Sequence, residues 1–406
     1  MGKSHAVRVS FLLGAGVSLP AGMPSTDELT TIILQGNNWG RHTDAKYYPN
    51  YRGVNGNNSV IAVLKYLSVI KDEISQFYLE YEKDWRKFNY EVLYYVITQI
   101  DDSIHGEYEN PVVYALVKKI EDRISAILSS NSLSNWDFER LSRESKQYVR
   151  CVIASCLSKP STQNTHLGLI IDACRDLKSA NIFSLNHDAI LEAVLAKNNI
   201  GIVDGFGASV NGVRYWAPGV YDVTGDVIKF FKLHGSVNWY TFDGGKTGIV
   251  CNGDPDHSLN QQGDMQSSFG PAKILAGTFN KLLSYASGIY SELYFQFHRE
   301  LKRSDTLVVS GYSFGDKGIN SKIISWISDD LRRRLIVLHE NPSELAMGAR
   351  GAISSKWDHW IQQKRLIVIP KWLCNATWGE VVSAMSAPHN AACHDSSTGQ
   401  SMTADC

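Results

Sequence analysis

The 406-residue chain is short of several things at once. Its seven cysteines, at 151, 156, 174, 251, 374, 393 and 406, form an odd set without one CxxC pair, which suits neither a secreted disulfide framework nor a four-cysteine zinc site. Reduced thiols in a cytoplasmic protein are the expectation, with no metal. A charge surplus is missing too. Forty basic against 41 acidic side chains leave a formal net charge of -1, so no overall basic field exists to hold phosphodiester backbones, and direct nucleic-acid binding is not expected. Nor does any hydrophobic run approach membrane-spanning length. The apolar stretch from Val7 to Leu13 is too short for a signal-peptide core, so a soluble, untargeted protein with no membrane contact is expected.

What is there is ordinary material for a globular protein: 44% apolar and 20% charged residues can support a packed core. The length allows two domains, or one large domain carrying an insertion. Residues 7–13, VRVSFLL, are the β-branched and large apolar side chains of a strand buried in a parallel sheet. Three glycines and two prolines follow in LLGAGVSLPAGMPSTDEL, and Pro24-Ser25-Thr26-Asp27-Glu28 opens a helix with acids in its first turn. From residue 37 an Asn- and Gly-rich stretch leads into helical spacing near 60–83, 88–102, 111–130 and 145–158, an inserted helical module over 37–160.

After Pro160 the α/β rhythm returns. Helices are expected at 165–179, 187–196, 278–302 and 316–327, and strands at 181–186, 227–233, 306–311, 334–339 and 365–370, with a loop-rich region at 201–226. Alternating strands and helices predict a Rossmann-like parallel sheet with helices on both faces, discontinuous over 1–36 and 161–373. The aperiodic Ser, Thr, Asn and Gly of the tail, 387–406, predict disorder.

A strand, then Gly14-Ala15-Gly16, then a helix start lets a pyrophosphate sit against backbone N–H groups, where a side chain would hold it off. The same GxG also serves as a plain tight turn, and Gly22 comes six residues after Gly16 rather than at the dinucleotide-fingerprint spacing. Ser18 adds a hydroxyl that can donate to phosphate. Three more clusters fall at predicted strand ends, where an open α/β sheet binds ligands: Asn186-His187-Asp188, Lys232-Leu233-His234-Gly235-Ser236 and Gly311-Tyr312-Ser313. Each has a plainer reading: Asn186 and Asp188 as helix caps, His234 as a structural histidine, Gly311 as a turn. Together they line one crevice.

The order of these motifs resembles the sirtuin superfamily, and within it the divergent bacterial sirtuin-like (silent-information-regulator-like) domains of antiphage defence systems. Gly14-Ala15-Gly16-Val17-Ser18 with Gly22-Met23-Pro24 is similar to the family's GAGxS and following G-x-P. Ser184-Leu185-Asn186-His187-Asp188 stands where sirtuins have T-Q-N-x-D, Leu233-His234-Gly235 resembles the L-H-G motif with its catalytic histidine, and Gly311-Tyr312-Ser313 the later G-x-S. The likeness spans roughly 10–345, with the helical module as an insertion. Two departures stand out. The four-cysteine zinc module of the deacylases is missing, since that interval holds only Cys251, and Ser25-Thr26-Asp27 replaces their D-F-R.

The resemblance implies an NAD+ site without an acyl-lysine cleft, and NAD+ as substrate rather than resident cofactor. On that basis Gly14, Ala15, Gly16 and Ser18 would hold the pyrophosphate beside Gly22 and Pro24, with Gly311 and Ser313 closing over it. Asn186 would orient the ribose or the attacking water, Asp188 would face the nicotinamide, His234 would act as base, and Glu340 or Asn341 would meet the adenosine ribose. The implied activity is NAD+ hydrolysis to nicotinamide and ADP-ribose by an antiviral effector that depletes cellular NAD+. Such an effector needs a regulatory partner, a HerA-type ATPase or else a short Argonaute, and homo-oligomerises through the helical module. A non-catalytic NAD or ADP-ribose sensor, and a protein ADP-ribosyltransferase or deacylase, are the competing expectations.

Overall fold

The computed structural model describes residues 7–50, 56–81, 88–107, 110–130, 136–159, 165–210, 212–242, 246–250, 272–277 and 280–387. All but the first residue of the expected tail, and Cys251 with it, lie outside these. β1 (Val9–Leu13) runs through two short 3-10 turns into α1 (Thr26–Gln35). A hairpin of β2 (Trp39–Arg41) and β3 (Tyr47–Pro49) precedes α2 (Gly56–Glu80), α3 (Tyr90–Ile104), α4 (Pro111–Ser130) and α5 (Phe138–Leu157). Then come α6 (Gly168–Leu177), β4 (Ala180–Ser184), α7 (Ile190–Lys197), β5 (Ile202–Val203), β6 (Phe206–Val210), β7 (Val213–Trp216) and β8 (Ile228–Lys232). β9 (Trp239–Thr241) and β10 (Thr247–Val250) lead to α8 (Asn280–Ser284), α9 (Gly288–Lys302), β11 (Thr306–Ser310) and α10 (Lys317–Asp329). The described chain ends with β12 (Arg334–Leu338), α11 (Pro342–Gly348), α12 (Gly351–Gln362), β13 (Leu366–Ile369) and α13 (Trp378–Ser386).

Seven strands form one sheet in the order β13-β12-β11-β1-β4-β8-β5, and all its pairs are parallel. Period-two alternation sends Val9, Phe11, Leu13, Ile182, Phe230, Val308 and Ile336 into one core and Leu12, Phe183, Phe231, Leu307, Val309 and Leu335 into the other. Every one of these strands is apolar on both sides, as a sheet covered on both faces requires. The helices α1 to α7 and α13 cover the first face, and α9 to α12 the second. This is a Rossmann-like α/β fold. Sheet order reverses at β1, whose neighbours β4 and β11 are reached in opposite directions, so the C-terminal ends of β1, β4 and β11 flank the crevice where such sheets take ligands.

Three local expectations change. The region 201–226 is not merely loop: β6 and β7 pair with β10 and β9 in a four-stranded antiparallel sheet. The helix expected over 278–302 is two helices, broken where Tyr285 turns into the core and Gly288 takes φ +55°. α7 starts at Ile190 rather than 187, because Asn186 and His187 are drawn into the crevice. α1 opens as expected, with Ser25 and Glu28 forming a capping box.

Residues 272–277 and 280–285 act as a strap between the helices and the crevice. Its backbone pairs with the His234 loop, Ser236 N donating to Lys273 O at 3.0 Å and Leu275 N to His234 O at 2.8 Å. Its other side is tied to α3 and α5: Glu91 accepts from Gly277 N at 2.7 Å and pairs with Lys281 at 3.1 Å, and Arg150 donates to Ala272 O at 2.9 Å.

Candidate active site

The two glycine segments meet each other. A Cβ built on Gly14 would lie 2.5 Å from Gly311 O, one on Gly16 2.8 Å from Gly311 Cα, and one on Gly311 2.5 Å from Val17 N. Gly14 N donates to Ser310 O and Gly16 N to Gly311 O, both at 3.0 Å, so those N–H groups are already used within the protein. The lack of side chains at Gly14, Gly16 and Gly311 lets the β1 and β11 loops interlock. Ala15 is the exposed first residue of the following turn, where a helical N–H has no intrahelical acceptor. Gly22 is at φ +82° with open space around it, Pro24 is half-buried beside it, and Ser313 is exposed on the far rim.

At the end of β4, Asn186 Nδ2 donates to Ser18 Oγ at 3.0 Å, linking this strand end to the glycine loop. Asn186 therefore does not cap α7. Its Oδ1 is buried and unpartnered. Asp188 does cap: its carboxylate accepts from Ile190 N at 3.1 Å, and its carbonyl receives the buried Lys232 ammonium, which also pairs with Glu192 at 2.8 Å. The Asp188 side chain is thus bonded to the start of its own helix.

Histidines gather around this link. His187 is buried with Nδ1 unpartnered, and its ring centroid is 6.2 Å from that of His234. Burial and the neighbouring His234 and Lys281 hold His187 well below the usual histidine range. His166, in the turn before α6, has both ring nitrogens buried without a hydrogen bond of good geometry. Burial lowers it, against the pull of the Val17 backbone and Asp188.

His234 Nε2 lies 2.8 Å from the Tyr285 hydroxyl and 3.1 Å from Asp316 Oδ2, and Tyr285 donates to the same carboxylate at 2.8 Å. Burial and Lys281 lower the His234 pKa, while Asp316 and Glu91 oppose them. Burial alone would raise the Asp316 carboxyl. The hydrogen bond from His234, with Lys281 and the Ile319 N–H, holds it well below the usual range. The carboxylate is thus ionised and the ring neutral at pH 7. Tyr285, Asp316, His187 and His166 were not singled out for site roles in the sequence. Two carried a signal: His187 lay within the strand-end cluster, and Asp316 is an acidic residue directly before an amphipathic run.

The adenosine-side candidates lie apart on the β12 end. Glu340 accepts from Trp372 Nε1 at 2.5 Å, and Asn341 caps α11 and touches Glu344 at 3.4 Å. Among the described residues no cluster of three or more His, Cys, Asp or Glu is placed to hold a metal ion, and no helix is long and apolar enough to cross a membrane.

No protein-family model matches the chain, and no curated protein matches it in sequence. Among solved structures it is similar to a Sir2 homolog–NAD complex, at 11% identity over 93% of this chain and 89% of that one, with a TM-score of 0.38. A mutant Sir2 homologue in complex with ADP ribose aligns at 12% identity over 87% of this chain and 90% of that one, with a TM-score of 0.37. Superpositions this loose leave the roles of residues to be read from their own geometry.

Proposed function

We propose that the protein is an NAD+ hydrolase, cleaving NAD+ to nicotinamide and ADP-ribose. The observation that supports this most is the Ser18–Asn186 link, which joins two motif loops at the switch-point crevice and leaves Asn186 Oδ1 buried without a donor. An orphaned buried acceptor costs about 1–3 kcal/mol, which a ribose hydroxyl or a bound water would recover. The bond uses Ser18 as acceptor, so its own proton is left for a pyrophosphate oxygen. The Ala15 N–H points to the same role, while Gly14, Gly16 and Gly311 supply shape, and Gly22, Pro24 and Ser313 the rim. Glu340 and Asn341 make exposed bonds that an adenosine ribose can replace.

In the reaction the bond between ribose C1′ and the nicotinamide nitrogen breaks, its electron pair neutralising the pyridinium. Water adds to the oxocarbenium-like C1′ and loses a proton to His234, which releases it to solvent. Fixed polar groups around developing charge, together with a positioned base, contribute most of such an acceleration. Depletion of NAD+ suits an antiviral effector, which must be restrained until needed. A regulatory partner, either a HerA-type ATPase or a short Argonaute, and homo-oligomers formed through α2 to α5 complete the proposal.

The test is chromatographic analysis of NAD+ incubated with wild type, Asn186→Ala and His234→Ala. Wild type should yield nicotinamide and ADP-ribose in equal amounts, and each variant should lose roughly 10²- to 10⁴-fold while staying folded. Tight NAD+ binding without turnover would mean a sensor or an enzyme awaiting its partner, and no binding would overturn the reading of the glycine loop. Turnover that requires an acetyl-lysine peptide or ends in a modified protein would favour a deacylase or transferase.

A further inference from the structure

We propose that Asp316, assisted by Tyr285, is the positioning residue of His234: the carboxylate fixes the ring proton on Nε2 and so makes Nδ1 the basic atom. This rests on the reading of His234 as the base.

Asp316 does more than a cap requires. Its Oδ1 accepts from Gly318 N at 2.8 Å and Ile319 N at 3.1 Å, which is enough to cap α10. Its Oδ2 has a separate task, receiving the Tyr285 hydroxyl at 2.8 Å and facing His234 Nε2 at 3.1 Å. All three side chains are at most 6% exposed, so water does not compete for these bonds. With the carboxylate ionised and Tyr285 giving it the hydroxyl proton, an unprotonated Nε2 would set lone pair against lone pair. The proton therefore sits on Nε2, and Nδ1 keeps its lone pair for a substrate hydroxyl or water.

The loop that delivers Asp316 is held by several independent bonds. Asp316 N donates to the Tyr312 hydroxyl at 3.0 Å, that hydroxyl donates to Asn320 Oδ1 at 2.8 Å, and Asn320 Nδ2 donates to Phe314 O at 2.7 Å. Phe314, fully buried, is kept at φ +55°, a conformation a bulky residue adopts only when its surroundings impose it. The charged and titratable groups facing His234 are Asp316 at the start of α10, Tyr285 and Lys281 from the strap, Glu91 from α3 and His187 from the β4 end.

The experiment uses the full chain with ¹⁵N-labelled histidine, comparing wild type, Asp316→Asn and Tyr285→Phe, with His234→Gln to assign the resonance. Asparagine keeps an oxygen to cap α10 but removes the charge, so thermal unfolding should change little. Wild-type His234 should show the Nε2–H tautomer. Asp316→Asn should move it toward Nδ1–H, lower kcat for NAD+ by at least about 10²-fold with KM within a few-fold, and shift the acidic limb of the pH profile to lower pH. An Nδ1–H tautomer in wild type overturns the proposal, as does an unchanged tautomer with wild-type kcat in Asp316→Asn. If wild type neither binds nor turns over NAD+, the hydrolase reading fails while the tautomer still decides the role of Asp316. If Asp316→Asn does not fold, the wild-type tautomer and Tyr285→Phe decide it.

Discussion

Gly311 combines two demands that only glycine meets, φ +66° and a backbone neighbour 2.5 Å from where a Cβ would lie. Gly22 has the first demand alone, at φ +82° with nothing within 4 Å. Gly22→Ala should therefore cost about 1 kcal/mol of stability, and Gly311→Ala at least about 3 kcal/mol, since left-handed strain and the clash add. Urea unfolding of the two variants checks this, and equal losses would mean that the loops separate easily. That something closes on the glycine backbone was legible in the sequence. What closes was not, because Gly14 and Gly311 lie at opposite ends of the chain. Asn186 and His234 stood out by residue type at strand ends, whereas Tyr285 has an aromatic's ordinary look and gains its part only by being turned inward.

The strap shows what periodicity cannot convey about an element. Helical spacing over 278–302 was read correctly at its C-terminal end, residues 278 and 279 lying outside the described ones, but the break that sends Tyr285 to His234 depends on tertiary anchors. Chief among these is Glu91 on α3, which holds Gly277 N and Lys281. Loss of such charge-assisted bonds is worth about 1.5–3 kcal/mol. Glu91→Ala should thus speed amide exchange of Lys273 and Leu275 roughly 10- to 100-fold, with β11 and β12 unchanged. Unchanged protection at those amides would show that the His234 loop alone holds the strap. The four long helices α2 to α5 were legible from their amphipathic spacing because each buries one stripe, and their ends fall within a few residues of expectation except at α5, which begins seven residues earlier. The small antiparallel sheet was missed: β6 and β7 are short and mostly solvent-facing, so no apolar alternation marks them.

For the whole molecule, buried histidines set the response to acid. His187, His234 and His166 all have folded-state values below the unfolded value of about 6.5, so the unfolded chain binds more protons as pH falls. Their contribution is complete above about pH 6.5 and is lost as pH drops toward the folded values. Asp316, held low, acts in the same direction in the acid range. His105 is raised and acts oppositely, but it lies at the surface, where screening weakens it. The Tm should therefore fall between pH 7 and pH 5, and less steeply in His187→Gln. A flat Tm would mean that these rings titrate alike in the folded and unfolded states. The parallel sheet was the most legible feature, since its longer strands carry large apolar residues on both faces, although the two-residue β5 fell in the expected loop region, and strand order is invisible in a list of strands. That order puts β1 directly against β11, nearly 300 residues later in the chain, with Val9 opposite Thr306. A chain still on the ribosome, or cut short by a nonsense codon, holds Ser18, Asn186 and His234 yet lacks the partner that braces them. A fragment that stops before β11 therefore lacks one wall of the crevice.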